Sequence, residues 1–206
     1  MLTYIRTTRP PHWISQDEVK YSLVVGGLGW PWGEKPGQLV ILGVEQRFDY
    51  DIKGHKVKVL AVRDGASLNN LYRAYIELNV NYQPMSWLAD TADSANLQYL
   101  MDLADQKQQR FSLDWCPQLS LTVYLSLIEE LGRKTKKIIH FGKFDQFGKY
   151  VMGMGAEERG RPIKEHPLIA ALGYPLYEIN ETLIPGEDDE DSYRPTQVGQ
   201  SSVTGY

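Results

Sequence analysis

Apolar and polar positions change rhythm several times along the chain, and each change marks an element. "LVILGVEQ", from Leu39 to Gln46, is a short apolar run with β-branched content and predicts a buried strand. "HKVKVLAV", from His55, alternates charged and apolar residues before turning fully apolar. It predicts a second strand, antiparallel to the first across the polar loop "RFDYDIKG". In "NNLYRAYIEL" the residues Leu71, Ala74, Tyr75 and Leu78 recur at helical spacing. "MSWLAD" reads as the next strand. "SANLQYLMDLADQKQ" reads as a second helix, with Leu97, Leu100, Met101 and Ala104 on one face and Ser94 placed to cap its start.

The second half is less regular. "LSLTVYLSLIEELG" has the length of a helix ending at Gly132, while its β-branched residues leave a strand open. "KKIIHFGKF" and "KYVMGM" suggest a hairpin around "DQFG". "HPLIAALGYPLYEINETL" is helical, kinked or broken at Pro175. Residues 1–37 contain "TRPPHW" and "GGLGWPWGEKPG" and read as an irregular lead-in, with "EVKYSLVV" a strand or short helix. Trp30 and Trp32 either pack on the core or form a binding surface, and large aromatics are usually mostly buried. Residues 38–184 form the expected domain, and 185–206 an acidic polar tail.

Strands interleaved with helices predict an α/β sheet covered by helices. The length of 206 residues suits one such domain with extras, and 42% hydrophobic content suffices for a core. A net charge of -4 gives no global attraction to nucleic acid or to an acidic membrane, so any such binding needs a local patch. One cysteine, Cys116, excludes a disulfide framework and a cysteine-rich zinc site. No apolar run of membrane-spanning length and no signal-peptide pattern is visible, so a soluble protein of the cytoplasm is expected.

Two of the strand-like segments end on acids, Glu45 and Asp90. Sites in open α/β sheets gather outside the carboxyl ends of parallel strands. Were these strands parallel neighbours, the two carboxylates would repel and a divalent cation would relieve the repulsion. Oxygen ligands suit Mg²⁺ or Mn²⁺, and a pair of such ions serves phosphodiester hydrolysis. Glu165 and His166, just ahead of the last helix, are candidates for the third ligand. Each acid also has a plain structural reading: Asp90 as a turn or cap residue, Glu165 as a first-turn acid suited to the helix dipole. Glu45 fits a turn less well, because glutamate is a poor turn former. Arg133, Lys134, Lys136 and Lys137 fall together, followed by Lys143 among aromatics and later by Arg159, Arg161 and Lys164. Such clusters hold phosphate backbones, or simply form a solvated turn. The four histidines lack metal-ligand spacing, and Cys116 has no evident base. "GGLGWPWG" lacks the context of a nucleotide-binding loop.

The order "LVILGVEQ", "VKVLAVRDGAS", "SWLADTADSANLQYL", "EHPLIAALGYPLY" resembles the nuclease domain of phage large terminases. The resemblance spans roughly residues 38 to 180. It implies a ribonuclease H-like mixed sheet flanked by helices. Glu45 takes the place of the family's first-strand Asp, Asp90 matches the later strand-end acid, and Ala171, Leu172 and Tyr174 match the A-L-x-Y of the last helix. Pro167 and Ala170 stand where many members have an Asp, which leaves Glu165 or His166 as substitutes. The implied activity is a metal-dependent DNA endonuclease of genome packaging, with two Mg²⁺ or Mn²⁺ ions held by Glu45, Asp90 and Glu165 or His166. The implied partners are double-stranded DNA and, for a split machine, a packaging ATPase and portal or small-terminase proteins. "GKFDQFGKY" has the wrong spacing for a P-loop, so no ATPase is expected in this chain. The alternative is the same fold with a decayed site, used for DNA binding or motor assembly.

Overall fold

The computed structural model describes residues 2–5, 12–45, 56–116, 119–132 and 139–183. Its strands are β1 (Thr3–Ile5), β2 (His12–Ile14), β3 (Lys20–Gly29), β4 (Gly37–Glu45), β5 (Val57–Gly65), β6 (Trp87–Ala89), β7 (Asp114–Trp115) and β8 (Ile139–His140). Its α-helices are α1 (Leu68–Tyr82), α2 (Ser94–Gln106), α3 (Leu121–Gly132), α4 (Asp145–Met152), α5 (Ala156–Arg159) and α6 (Pro167–Leu183). All eight strands join one sheet.

β3, β4 and β5 form an antiparallel meander. β6 then runs parallel to β3 on its other edge, and β7 parallel to β6. The core order is therefore β5-β4-β3-β6-β7, with β8 parallel outside β5 and β1 and β2 extending from the amino-terminal end of β3. This is the ribonuclease H-like mixed sheet flanked by helices. β3, "KYSLVVGGLG", is its central strand, so the span expected to be an irregular lead-in supplies the middle of the fold. Its first half, in "EVKYSLVV", reads as a strand or short helix, and three glycines hide the rest by removing the side chains that would declare a buried face.

The apolar runs of β3 and β4 are continuous because both faces of the sheet are covered. Val24, Leu28, Leu39 and Ile41 face one core with α1 and α2; Val25, Val40, Leu42 and Val44 face a second core with α3 and α6. A bulge in β5 places Leu60 as an extra residue between the pairs Ile41↔Ala61 and Leu42↔Val59, and the side chains switch face there.

The helices follow their sequence patterns closely. α1 buries Leu71, Ala74, Tyr75 and Leu78; Ser67 caps it by accepting from Asn70 N, and Gln83 ends it in the left-handed region at φ 46°. At α2 the cap is Asp93 rather than Ser94, accepting from Asn96 N at 3.3 Å. The hairpin expected around "DQFG" is instead a 3-10 turn (Gly142–Phe144) running into α4, where Asp145 and Lys149 pair one turn apart at 3.1 Å. Pro175 lies inside α6 without ending it. Proline has no N–H, so the Ala171 carbonyl four residues back has no helical donor. That carbonyl faces Gly27 of β3, where an added Cβ would lie 1.9 Å from the oxygen. Glycine therefore permits a backbone-to-backbone approach, with its Cα–H against the freed carbonyl.

Candidate functional site

The carboxyl ends of β3 and β6 lie side by side, with Leu28 level with Ala89. Beyond them the chain turns outward at Trp30 and at Asp90. The Trp30 indole N–H donates to the Asp90 backbone carbonyl at 2.6 Å and ties the two exits together. One carboxylate oxygen of Asp90 accepts from Ala92 N at 2.9 Å, closing an Asx turn. An open cleft of about 880 Å³ begins here, bounded by Trp30, Trp32, Asp90, Asp93 and Ser120 and roofed by Arg161, Lys164 and Tyr174. The two tryptophans divide the roles weighed for them. Trp30 is 8% exposed and structural, while Trp32 is 41% exposed with the Lys164 ammonium 4.4 Å above its ring.

Glu45 is not in this cleft. β4 is antiparallel to β3, so its carboxyl end points the other way, and Glu45 pairs with Tyr21. The cleft lies beyond Gly29, eight residues further along β3, or about 26 Å at strand rise. Glu45 forms an ion pair with Lys58 across the β4–β5 ladder. The convergence expected of Glu45 and Asp90 fails because the strand order places them at opposite ends of the sheet.

Glu165 and His166 sit next to the cleft without joining Asp90. The Glu165 carboxylate lies 3.9 Å from the Arg161 guanidinium, and its backbone carbonyl accepts from Lys35 Nζ at 2.7 Å. His166 is 3% exposed and lines a separate, smaller cavity. Burial, then the neighbouring Lys35 charge, holds its imidazole below the usual histidine range.

Among the described residues no group of three or more His, Cys, Asp or Glu side chains is placed to hold a metal ion. The packing of α6 accounts for the strand beside Asp90. On the strand beside Asp90, an added Cβ at Gly29 would lie 1.9 Å from the Pro167 carbonyl, and Gly27 is closed by Ala171. No carboxylate fits at either of these two positions of β3. The paired Mg²⁺ or Mn²⁺ site expected from Glu45, Asp90, Glu165 and His166 is therefore not assembled by these residues.

Arg133, Lys134, Lys136 and Lys137 lie outside the described residues. Lys143 lies in the 3-10 turn beside β5, over the Phe144 ring and away from the cleft. The basic groups at the cleft are Arg161 and Lys164, the later members of the basic set that the sequence points to. Cys116 is buried, its Sγ 3.6 Å from the Tyr124 hydroxyl, and burial pushes the thiol up to about 11. Such a thiol is inert at neutral pH.

No family model matches the chain, and no curated protein matches it. The solved structures similar to it include two of resolvase type by name. One is the crystal structure of the fowlpox virus Holliday junction resolvase, 12% identical, with a TM-score of 0.40 over 78% of this chain and 100% of that one. The other is the Thermus thermophilus RuvC structure, 15% identical, with a TM-score of 0.39 over 80% of this chain and 100% of that one. No helix among the described residues is long and apolar enough to cross a membrane.

Proposed function

We propose that this chain is a ribonuclease H-like module that grips DNA in the cleft beyond β3 and β6, as part of a DNA-processing or phage packaging assembly. The observation that carries the reading is the cleft itself. Trp32, 41% exposed, has the Lys164 ammonium over one face of its ring, and Arg161 lines the same cleft. The part of the indole that Lys164 leaves exposed can stack a nucleobase while the cations meet its phosphates. The packaging role rests on the resemblance of "EHPLIAALGYPLY" to the last terminase helix. Grip without cleavage is favoured, because the face of β3 that would carry an acid is closed by α6.

The test is fluorescence anisotropy with a labelled oligonucleotide across a salt series. An Arg161→Gln, Lys164→Gln variant is expected to bind more weakly at low salt. Its plot of log K against log salt should lose about two units of slope, one per phosphate contact. Trp32→Ala should cost about 1–3 kcal/mol of binding. Unchanged affinity and slope in both variants would remove the cleft from the reading.

Nuclease activity is the second reading, and one observation favours it. Asp90 lies at the carboxyl end of β6 on the wall of the cleft, with Asp93 three residues on. Plasmid nicking by the wild type in Mg²⁺ or Mn²⁺ would establish it.

A further inference from the structure

The charge balance of the cleft narrows what it can hold. Among the described residues that line it, Arg161 and Lys164 are cations and Asp90 and Asp93 are acids. Arg161 is shared further, with the carboxylates of Glu157 and Glu165 each 3.9 Å from its guanidinium. Proteins that hold duplex DNA through its phosphates use a run of cations, about six to ten contacts, because their affinity comes from released counterions. The described lining has no such run. The rest of it is mainly apolar or aromatic, with Pro31, Trp32, Leu119, Pro162 and Ile163.

Trp32 is also fixed in place. Its backbone N–H donates to the Lys35 carbonyl at 3.1 Å and its carbonyl accepts from Lys35 N at 2.9 Å, closing a tight turn with Gly33 at a φ of 58°. The Lys35 ammonium donates to the Glu165 carbonyl at 2.7 Å. Glu165 follows Lys164 in one 3-10 turn (Ile163–Glu165), so the turn that carries the indole is moored to the turn that carries its cation. An aromatic held in this way gives up little conformational freedom when a second ring stacks on it.

We propose that the cleft takes single-stranded rather than duplex DNA, with one unpaired base stacked on the exposed part of the Trp32 indole. This rests on the DNA-gripping reading and sets a single strand in place of the double-stranded partner that the terminase resemblance implies. In a duplex each base is covered on both faces by its neighbours, so a lone indole meets a free face only at an end. An unpaired base offers its face, and stacking supplies affinity that two partly neutralised cations do not. Asp90 and Asp93 act in the same direction, because their carboxylates repel the second phosphate backbone that a duplex would bring to the same cleft.

The test is a competition read by fluorescence anisotropy. A labelled oligothymidylate, which does not pair with itself, is bound to the full chain at low salt. Single-stranded circles and relaxed, covalently closed duplex circles, neither of which has ends, then compete at equal nucleotide concentration. The single strand is expected to compete better by about fivefold or more, the lower end for stacking one base. Trp32→Ala should bring the two competitors close to parity, and Trp32→Phe, which keeps a ring, should retain most of the preference. Trp32 is exposed on its turn, so both variants keep the fold. Equal competition, tighter binding of the duplex, or a preference unchanged in Trp32→Ala overturns the single-strand site. If the Arg161→Gln, Lys164→Gln variant still weakens binding of both forms in those cases, the grip on DNA stands without it. Binding of neither form, or binding indifferent to every cleft variant, overturns the grip and the single-strand site together.

Discussion

At the scale of single residues, Asp90 shows how an acid at a strand end serves structure first. Its carboxylate closes a turn onto Ala92 N, and its carbonyl receives the Trp30 indole. Asparagine keeps the accepting oxygen and removes only the charge. Asp90→Asn is therefore expected to stay within about 1 kcal/mol of wild-type stability in a thermal melt. The same variant judges the nuclease reading. If wild-type protein nicks plasmid in Mn²⁺, a folded Asp90→Asn protein that cuts equally well would remove Asp90 from the chemistry.

At the scale of elements, the decisive contact is α6 on β3. The gap in the α6 ladder at Pro175 frees the Ala171 carbonyl, and Gly27 is the residue small enough to meet it. Alanine at Gly27 would place a methyl group 1.9 Å from that oxygen and 2.7 Å from the Pro175 ring. Both neighbours are backbone or ring atoms that cannot swing aside, so the sheet and helix must separate. Gly27→Ala is expected to lose about 3 kcal/mol or more, at the upper end for overpacking, read as a lower urea midpoint. Gly33→Ala is the contrast. Nothing lies within 4 Å of its added Cβ, and its cost comes from a φ of +58° alone.

At the scale of the whole molecule, the core between the sheet and the α3–α6 layer holds three weak acids in their neutral forms. Cys116 contacts the Tyr124 hydroxyl and the Tyr174 carbonyl, and burial raises all three pKa values. A group raised in the folded state gives stability that is complete below its unfolded value and lost as pH climbs through the folded one. For the thiol the window runs from 9.0 to about 11. Chemical denaturation should give flat stability up to about pH 9, then a fall of about 2 kcal/mol by pH 11 from the thiol alone. The tyrosines act in the same direction, from an ordinary value of 10.0 upward. Cys116→Ala should remove the early part of the decline and leave the later part. Stability that rises over this range would contradict the burial.

The sequence by itself determined the elements whose signal is periodic and local. The faces of α1 and α6, the apolar runs of β4 and β5, and the strand–helix alternation follow from side-chain spacing along a few turns of chain. So does the chemistry at Asp90 as far as it is local, namely a strand end followed by a polar turn. Only the tertiary structure decided which strands are neighbours and in which direction they run. Pairing joins residues far apart in sequence, and no local pattern encodes it. That is why Glu45 looked like a partner of Asp90 and lies at the opposite end of the sheet. It is also why the second half of β3, stripped of side chains by Gly26, Gly27 and Gly29, carries no strand signal, since only α6 lying against its backbone gives those glycines their reason. Trp32 is a candidate surface aromatic and Arg161 and Lys164 are candidate phosphate-binding cations, but they stand in two stretches of chain about 130 residues apart with nothing local to join them. They become one surface only because β3 and α6 pack backbone to backbone.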